Sequence, residues 1–168
     1  MRNISANFSA GLMETINKKN FFRFLFVIFF IFLIFLFFNN TSKNNFQIEN
    51  TKYVKIGGQI IKVETVSTPE TQGRGLSGRV GLKNDEGMLF VFSRSDEYSF
   101  WMKDMNFPID IIWLGEDLRV VYIKKDAKPE SFPEVFEPNE NSKYVLEVVS
   151  NFSEKNNLKD GDKAEFLP

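Results

Sequence analysis

The feature that most constrains this 168-residue chain is an uninterrupted apolar run near its N-terminus. The stretch Phe24–Phe38 contains fifteen consecutive apolar residues, and ten of the eighteen residues in 21–38 are Phe. A helix rises ~1.5 Å per residue, so these residues span about 27 Å, close to the ~30 Å core of a bilayer. Because helices in soluble cores usually keep a polar stripe, the run predicts a transmembrane helix over residues 21–38.

The charges that flank this run predict its orientation. Lys18, Lys19 and Arg23 precede or open it, whereas only Lys43 follows closely. The positive-inside rule places residues 1–20 in the cytoplasm and the C-terminal part outside it, in a single-pass protein of the cytoplasmic or inner membrane. A cleaved signal peptide is the alternative. Because no small-x-small cleavage site follows the run and the chain has no Cys for lipoprotein processing, we expect an uncleaved signal anchor.

Composition narrows the chemistry of the rest of the chain. Residues 39–50 are polar and Asn-rich, which indicates a linker, and residues 51–168 are long enough for one extracytoplasmic domain. Residues 44–168 carry 16 basic and 21 acidic side chains. Their net charge is therefore negative and does not favour the binding of nucleic acid. The chain has no His and no Cys, which excludes disulfides, thiolate nucleophiles, imidazole bases and Cys/His zinc sites. We expect no cofactor and no metal site.

The pattern of the outer domain is typical of a β-rich fold. The two β-branched runs 53–56 and 59–66 are joined by Gly57-Gly58, which predicts a tight hairpin. Thr68 as N-cap and Pro69 at the first helical position predict a short helix. About eight short strands and one or two short helices follow from such signals. We therefore expect a mainly β domain, a small antiparallel barrel or sandwich, preceded by one N-terminal transmembrane helix.

Polar groups stand among apolar residues in the segment 98–114. The segment reads as a hairpin of two strands around the loop Asp104–Pro108, and its register decides which side chains share a face. In one register Lys103 and Asp110 face opposite ways, with Trp101 on the face of Lys103. A slip of one residue places Lys103 opposite Asp110, where the two form an ion pair. The sequence leaves both registers open.

Four residues of this part of the chain are candidates for ligand binding: Arg74, Trp101, Lys103 and Asp110. A buried Asp110 needs Lys103, Arg74 or a set of backbone N–H donors, because an unpaired ionised carboxylate is costly in an apolar setting. It could clamp the fold or form the floor of a ligand cleft. Trp101 could stack on a flat ligand such as a sugar ring that Lys103 or Arg74 orients, or it could pack in the core. No catalytic residue is assigned.

These residues lie in segments that resemble the family called domain of unknown function 192. The resemblance covers roughly residues 50–167 and implies a small β-rich domain, commonly exported or membrane-tethered, with no assigned activity. The chain departs from the family pattern after Leu76 and after Lys103. The matching segments are Thr68-Pro69-Glu70, Arg74-Gly75-Leu76, Glu86–Phe92, Phe100–Lys103, Pro108–Ile112, Tyr144–Val148 and Gly161-Asp162.

Three functions remain open from the sequence. The first is a non-catalytic module at the cell envelope that binds a ligand, such as an envelope glycan, or a protein partner. The second is a hydrolase or transferase that acts on an envelope glycan through two carboxylates roughly 5–10 Å apart. The third is a structural envelope protein whose paired groups only hold the fold together. We expect the first, because the aromatic and charged groups concentrate around one segment.

Overall fold

The computed structural model describes the backbone of residues 18–49 and 51–168, and the side chains of 21–36 and 51–168. The chain divides after Asn44 into two compact units. The elements are α1 (Lys18–Glu49), β1 (Tyr53–Ile56), β2 (Gln59–Val66), α2 (Pro69–Arg74), β3 (Glu86–Asp96), β4 (Phe100–Trp101), β5 (Ile109–Leu114), β6 (Val120–Ala127), β7 (Val135–Phe136), β8 (Ser142–Val149), α3 (Phe152–Lys155) and β9 (Glu165–Leu167).

The described residues of the N-terminal unit, 18–44, are all helical and belong to α1. Its described side chains, residues 21–36, are all exposed, from Leu33 at 44% to Phe26 at 71%. Within the described residues, no helix has the length and hydropathy needed to cross a membrane. Residues 1–17 of the predicted cytoplasmic tail lie outside the described residues, as do the side chains of 37 and 38 at the end of the predicted span.

The C-terminal unit is mainly β, as the sequence predicts. Seven strands form one curled half-barrel sheet in the order β6-β5-β8-β3-β2-β1-β9, and β4 pairs with β7 in a separate ribbon. The pairs are antiparallel except β2 and β3, which run parallel with Val63 opposite Gly87. A parallel pair needs a crossover, and α2 with the segment 75–85 supplies it. The sheet is therefore mainly antiparallel, as predicted, with one parallel pair that the sequence did not predict.

Backbone contacts at one end bring the two edges of the sheet together. Arg119, just before β6, forms a bridge with Lys163, just before β9. The N–H of Val120 donates to Asp162 O at 2.8 Å, and the N–H of Ala164 donates to Leu118 O at 2.9 Å. These bonds explain the curl, because they satisfy backbone groups that an open edge strand would leave unpaired.

The sheet is buried on both faces in its centre. All six residues of β5 are buried. Its even-numbered apolar residues belong to one apolar cluster on one face of the sheet, and its odd-numbered residues belong to a second cluster on the other face. Leu146 lies in the first cluster, whereas Val145, Met88 and Trp113 lie in the second. The second cluster contains residues of β4 and of the segment that follows α2, so these elements cover that face of the sheet.

The predicted hairpin between residues 98 and 114 does not form. Strand β5 pairs with β6 on one edge and with β8 on the other, so no edge remains for β4. Instead β4 pairs with β7, with Phe100 opposite Phe136. Both registers considered from the sequence are therefore wrong, and Lys103 and Asp110 have no cross-strand relation.

Candidate functional site

Asp110 is a fold clamp held by backbone donors. Its side chain is fully buried on β5. Oδ1 accepts hydrogen bonds from the N–H groups of Asp126 at 2.9 Å and Asn151 at 3.2 Å, and Oδ2 accepts from the N–H of Ser153 at 2.8 Å. Of the three partnerships that the sequence left open, the set of backbone donors is confirmed. The carboxylate thus joins β5 to the end of β6 and to the start of α3.

The other three candidates lie elsewhere, on the side of the sheet covered by α2 and β4. Trp101 is 53% exposed and therefore not a core residue. The Nζ atom of Lys103 lies 5.9 Å from the centre of its ring. Arg74 ends α2, where its side chain is 69% exposed and its Nη2 atom lies 3.6 Å from Glu70 Oε1. Arg74 and Trp101 both line the same cleft.

This cleft has a volume of about 330 Å³ and lies between α2, β3, β4 and β8. The Nε2 group of Gln72 donates to Val91 O at 2.8 Å, which fixes α2 on β3. Ser77 Oγ donates to Lys103 O at 3.0 Å, which ties the segment after α2 to the loop after β4. The lining residues are Gln72, Gly73, Arg74, Gly75, Leu76, Ser77, Phe90, Phe92, Tyr98, Ser99, Phe100, Trp101, Met105 and Glu147.

Five of these lining residues are aromatic; four of them pack in two pairs, and Trp101 packs against Phe132, which lies outside the lining. The rings of Phe90 and Phe100 meet edge to face with centroids 4.9 Å apart, whereas Phe92 and Tyr98 stack at 3.5 Å. The Tyr98 hydroxyl donates to Arg94 O at 3.0 Å. These contacts hold the rings in place, so the cleft has a preformed aromatic wall.

Glu147 is the unusual group in this cleft. It lies on β8 opposite Met88 of β3 and Ile111 of β5, and only 5% of its surface is exposed. Its Oε2 atom has no hydrogen-bond partner. Burial raises the pKa of Glu147 to about 8, against a smaller lowering by the charge of Arg79. The carboxyl group is therefore mostly protonated at neutral pH, and an unpaired buried oxygen of this kind is rare in native folds.

Sequence reasoning missed Glu147, although a signal for it was present. An acidic residue interrupts the apolar strand Tyr144–Val149, and that strand belongs to the segments that carry the family resemblance. The structure brings Glu147 together with Arg74 and Trp101 in one cleft and leaves Asp110 outside its lining. Within the described part of the chain, no group of three or more acidic side chains is arranged to hold a metal ion.

A family model matches residues 38–166 of the chain. The protein belongs to the DUF192 family (Uncharacterized ACR, COG1430). Eight of the fourteen lining residues of the cleft come from the segments that carried the resemblance in the sequence. Four of the seven segments, distant in the chain, therefore meet at the cleft. No curated protein matches the DUF192 chain.

Two crystal structures are similar to this DUF192 protein. A protein of unknown function from Novosphingobium aromaticivorans DSM 12444 is 31% identical with a TM-score of 0.64, and the match covers 67% of this chain and 83% of that one. A candidate transcription regulator from Sinorhizobium meliloti 1021 is 26% identical with a TM-score of 0.65, and the match covers 70% of this chain and 95% of that one. The comparisons establish the family and assign no function to it.

Proposed function

We propose that this DUF192 protein is a membrane-anchored, extracytoplasmic binding module whose ligand occupies the cleft above Glu147. The observation that carries the proposal is the buried, unpartnered Oε2 atom of Glu147, because this residue lines a cleft together with five aromatic residues. A buried polar atom without a partner costs about 1–3 kcal/mol. A ligand that supplies the missing hydrogen bond recovers that free energy, which favours binding in the cleft.

The shape and chemistry of the cleft suit a compact ligand with an apolar or ring-shaped face. Its volume of about 330 Å³ is at the lower end of the range for small-molecule sites. Trp101 offers an exposed ring for stacking. Arg74 adds a cation at the rim. A sugar ring of an envelope glycan or a side chain of a protein partner fits this description.

Replacing Trp101 with Ala is expected to abolish ligand-induced stabilisation with little effect on the free protein. Trp101 is half exposed, so its removal costs the fold little, whereas a stacked ring contributes about 1 kcal/mol or more to binding. The test is a thermal-shift screen of the full chain in polyoxyethylene detergent micelles, which add no sugar or ammonium groups. The panel contains N-acetylglucosamine oligomers, peptides and small organic molecules, and Tm is followed by intrinsic Trp fluorescence.

Ile60→Ala is the matched control for this screen. Ile60 is similarly exposed on β2 and does not line the cleft. A compound that raises the Tm of the parent and of Ile60→Ala, but not of Trp101→Ala, supports the proposal. If every stabilising compound acts equally on all three proteins, the cleft is not the binding site.

The competing functions have weaker support. A glycan hydrolase needs two carboxylates across one cleft, and Glu147 is the one carboxylate among the residues that line this cleft. A purely structural role leaves the exposure of Trp101 and the orphaned Glu147 oxygen without a reason. A regulatory role on DNA, which the Sinorhizobium meliloti protein suggests, does not suit residues 44–168 with their 16 bases and 21 acids.

Membrane anchoring rests on the Phe-rich run and the exposure of its side chains. Sixteen consecutive residues, 21–36, are exposed, and Arg23 is the one charged residue among them. So large an apolar surface is stable only against lipid or another apolar surface. The basic residues before the run favour an outside location of the β domain.

Cysteine labelling is expected to place the β domain outside the cytoplasm. The chain has no Cys, so single substitutions report on one position each. In spheroplasts, Asn139→Cys in the β domain should react with a membrane-impermeant maleimide, whereas Ser9→Cys should react only after lysis. Asn139 is exposed in the fold and therefore accessible. The reverse labelling pattern, or equal protection of both positions, would contradict the proposed topology.

A further inference from the structure

Three features of the cleft point to the charge of its ligand. The first is the aromatic wall formed by Phe90, Phe92, Tyr98, Phe100 and Trp101. The faces of aromatic rings carry negative partial charge and attract cations, most strongly when water is excluded. Aromatic rings around a compact space are the usual means by which proteins bind substituted ammonium groups.

The second feature is the position of the one carboxyl group. Glu147 is nine-tenths buried, lines the cleft, and has an oxygen atom with no hydrogen-bond partner. Among the described residues, none forms an ion pair with it, and Arg79 acts on it only through its charge at a distance. The aromatic cleft therefore contains an acidic group that no cationic side chain of the described residues pairs with.

The third feature is the use of ammonium–ring contacts nearby in the same domain. Lys103 places its Nζ atom 5.9 Å from the centre of the Trp101 ring, and Lys124 places its own at 4.1 Å from the Phe136 ring. Arg74, the one cationic side chain of the lining, is mostly exposed and leans toward Glu70. The Glu147 end of the cleft thus remains available to a cation from outside.

We infer that the cleft binds a small organic cation, with a substituted ammonium group between the aromatic rings and the Glu147 carboxylate. This inference rests on the proposed binding function and narrows its ligand class. A cation uses both the ring faces and the carboxylate, whereas a neutral ligand uses only a hydrogen bond to the carboxyl group. Binding must ionise Glu147, so the carboxyl proton passes to the solvent as the cation enters.

The proton release makes the inference testable through pH. Arg79 is the one residue whose charge acts on the pKa of Glu147, Arg74 and Tyr98 are the other charged or titratable residues that line the cleft, and the neighbours of Glu147 on β3 and β5, Met88 and Ile111, are neutral. Burial holds the pKa of Glu147 at about 8. The affinity for a permanently charged cation should therefore rise about tenfold per pH unit from pH 6 and level off above pH 8.

The experiment is calorimetric titration of the full chain in polyoxyethylene micelles with choline and with its neutral isostere 3,3-dimethylbutan-1-ol. Titrations in two buffers of different protonation enthalpy measure the protons released. We expect choline to bind, close to one proton to be released at pH 7, and the alcohol to bind at least about tenfold more weakly above pH 8. Glu147→Gln should abolish the pH dependence and the proton release, and Trp101→Ala should weaken binding at every pH.

The outcomes separate this inference from the function on which it rests. Equal affinities for choline and the alcohol, choline binding without proton release, or no choline binding at pH 9 each overturn the cationic ligand. Stabilisation by an uncharged compound that depends on Trp101 would leave the proposed binding function standing. Choline binding that survives both Glu147→Gln and Trp101→Ala would place the cation elsewhere and also overturn the inference.

Discussion

Replacing Asp110 with Ala is expected to lower the free energy of unfolding by about 4 kcal/mol, because it removes a charged acceptor from three buried donors. The N–H groups of Asp126, Asn151 and Ser153 would each lose a bond of 2.8 to 3.2 Å. Asp110 is fully buried, so water does not readily replace the lost acceptor. The loss also detaches the ends of β6 and α3 from β5.

Urea unfolding of the full chain in micelles measures this effect. Both Trp residues, Trp101 and Trp113, belong to the β domain, so their fluorescence reports on that unit alone. Trp113 is buried and donates its indole N–H to Tyr98 O at 2.7 Å, which makes it sensitive to unfolding. Asp110→Asn should lower the free energy of unfolding less than Asp110→Ala does. The amide oxygen can still accept hydrogen bonds, whereas the amide nitrogen is itself a donor and cannot accept one from the backbone.

Asp117→Ala is the matched control for Asp110. Asp117 also accepts a backbone hydrogen bond, from Arg119 N–H at 3.1 Å, but its side chain is 66% exposed. Its removal should cost less than about 1 kcal/mol, since solvent replaces what is lost. If the two Ala variants lose the same free energy of unfolding, the buried Asp110 carboxylate stabilises the fold no more than an exposed one.

The sequence predicted that Asp110 needs a partner but could not identify the partner. An acid between Ile109 and Ile111 already signals a buried charge that must be neutralised or hydrogen-bonded. The donors, however, lie 16, 41 and 43 residues further along the chain. Only the pairing of β5 with β6 and β8 brings them close, and no local pattern encodes that pairing.

The error at the predicted hairpin has the same origin. Two apolar runs separated by a short polar loop normally pair with each other. Here β5 forms more backbone hydrogen bonds by pairing on both edges with longer strands, because β6 and β8 have eight residues each and β4 has two. By contrast, the hairpin of β1 and β2 and the cap of α2 depend on local residues. Both were predicted, and Gly57 with positive φ and the Thr68 capping box confirm them.

Glu147 escaped prediction because its strand faces two apolar clusters. In a strand with alternating faces, an acid normally marks the solvent side. In β8 the neighbours Leu146 and Val148 belong to one cluster and Val145 to the other, so neither face is exposed to solvent. Two of the fourteen residues that line the cleft, Arg74 and Trp101, were predicted as candidates from the sequence. Glu147 could be predicted only with knowledge of the elements that cover the second face of β8.

The stability of the free protein is expected to fall as pH rises, because Glu147 must ionise inside the fold. Burial raises its pKa from 4.5 in the unfolded chain to about 8 in the folded protein. Between these values the folded state holds a proton that the unfolded state has lost. The group therefore stabilises the fold fully below pH 4.5, and this contribution declines by about 1.4 kcal/mol per pH unit until pH 8, above which it changes no further.

Comparison with Glu147→Gln isolates this effect from every other titration. Gln has the shape of the protonated acid and does not ionise, so the two proteins should have similar stability at pH 5. By pH 8 the variant should be the more stable by about 4 kcal/mol in urea unfolding. Parallel pH profiles for the two proteins would mean that Glu147 is already ionised and partnered at neutral pH.

The same comparison in the presence of a cation connects stability to binding. A ligand that pairs with the ionised carboxylate lowers the pKa of Glu147 in the folded state and so removes part of the decline with pH. Saturating choline should therefore raise the stability of the parent most at pH 8 and least at pH 5, whereas any stabilisation of Glu147→Gln should be the same at both pH values. Since burial of Glu147 is what makes the fold sensitive to pH, part of this sensitivity should disappear when a cation fills the cleft.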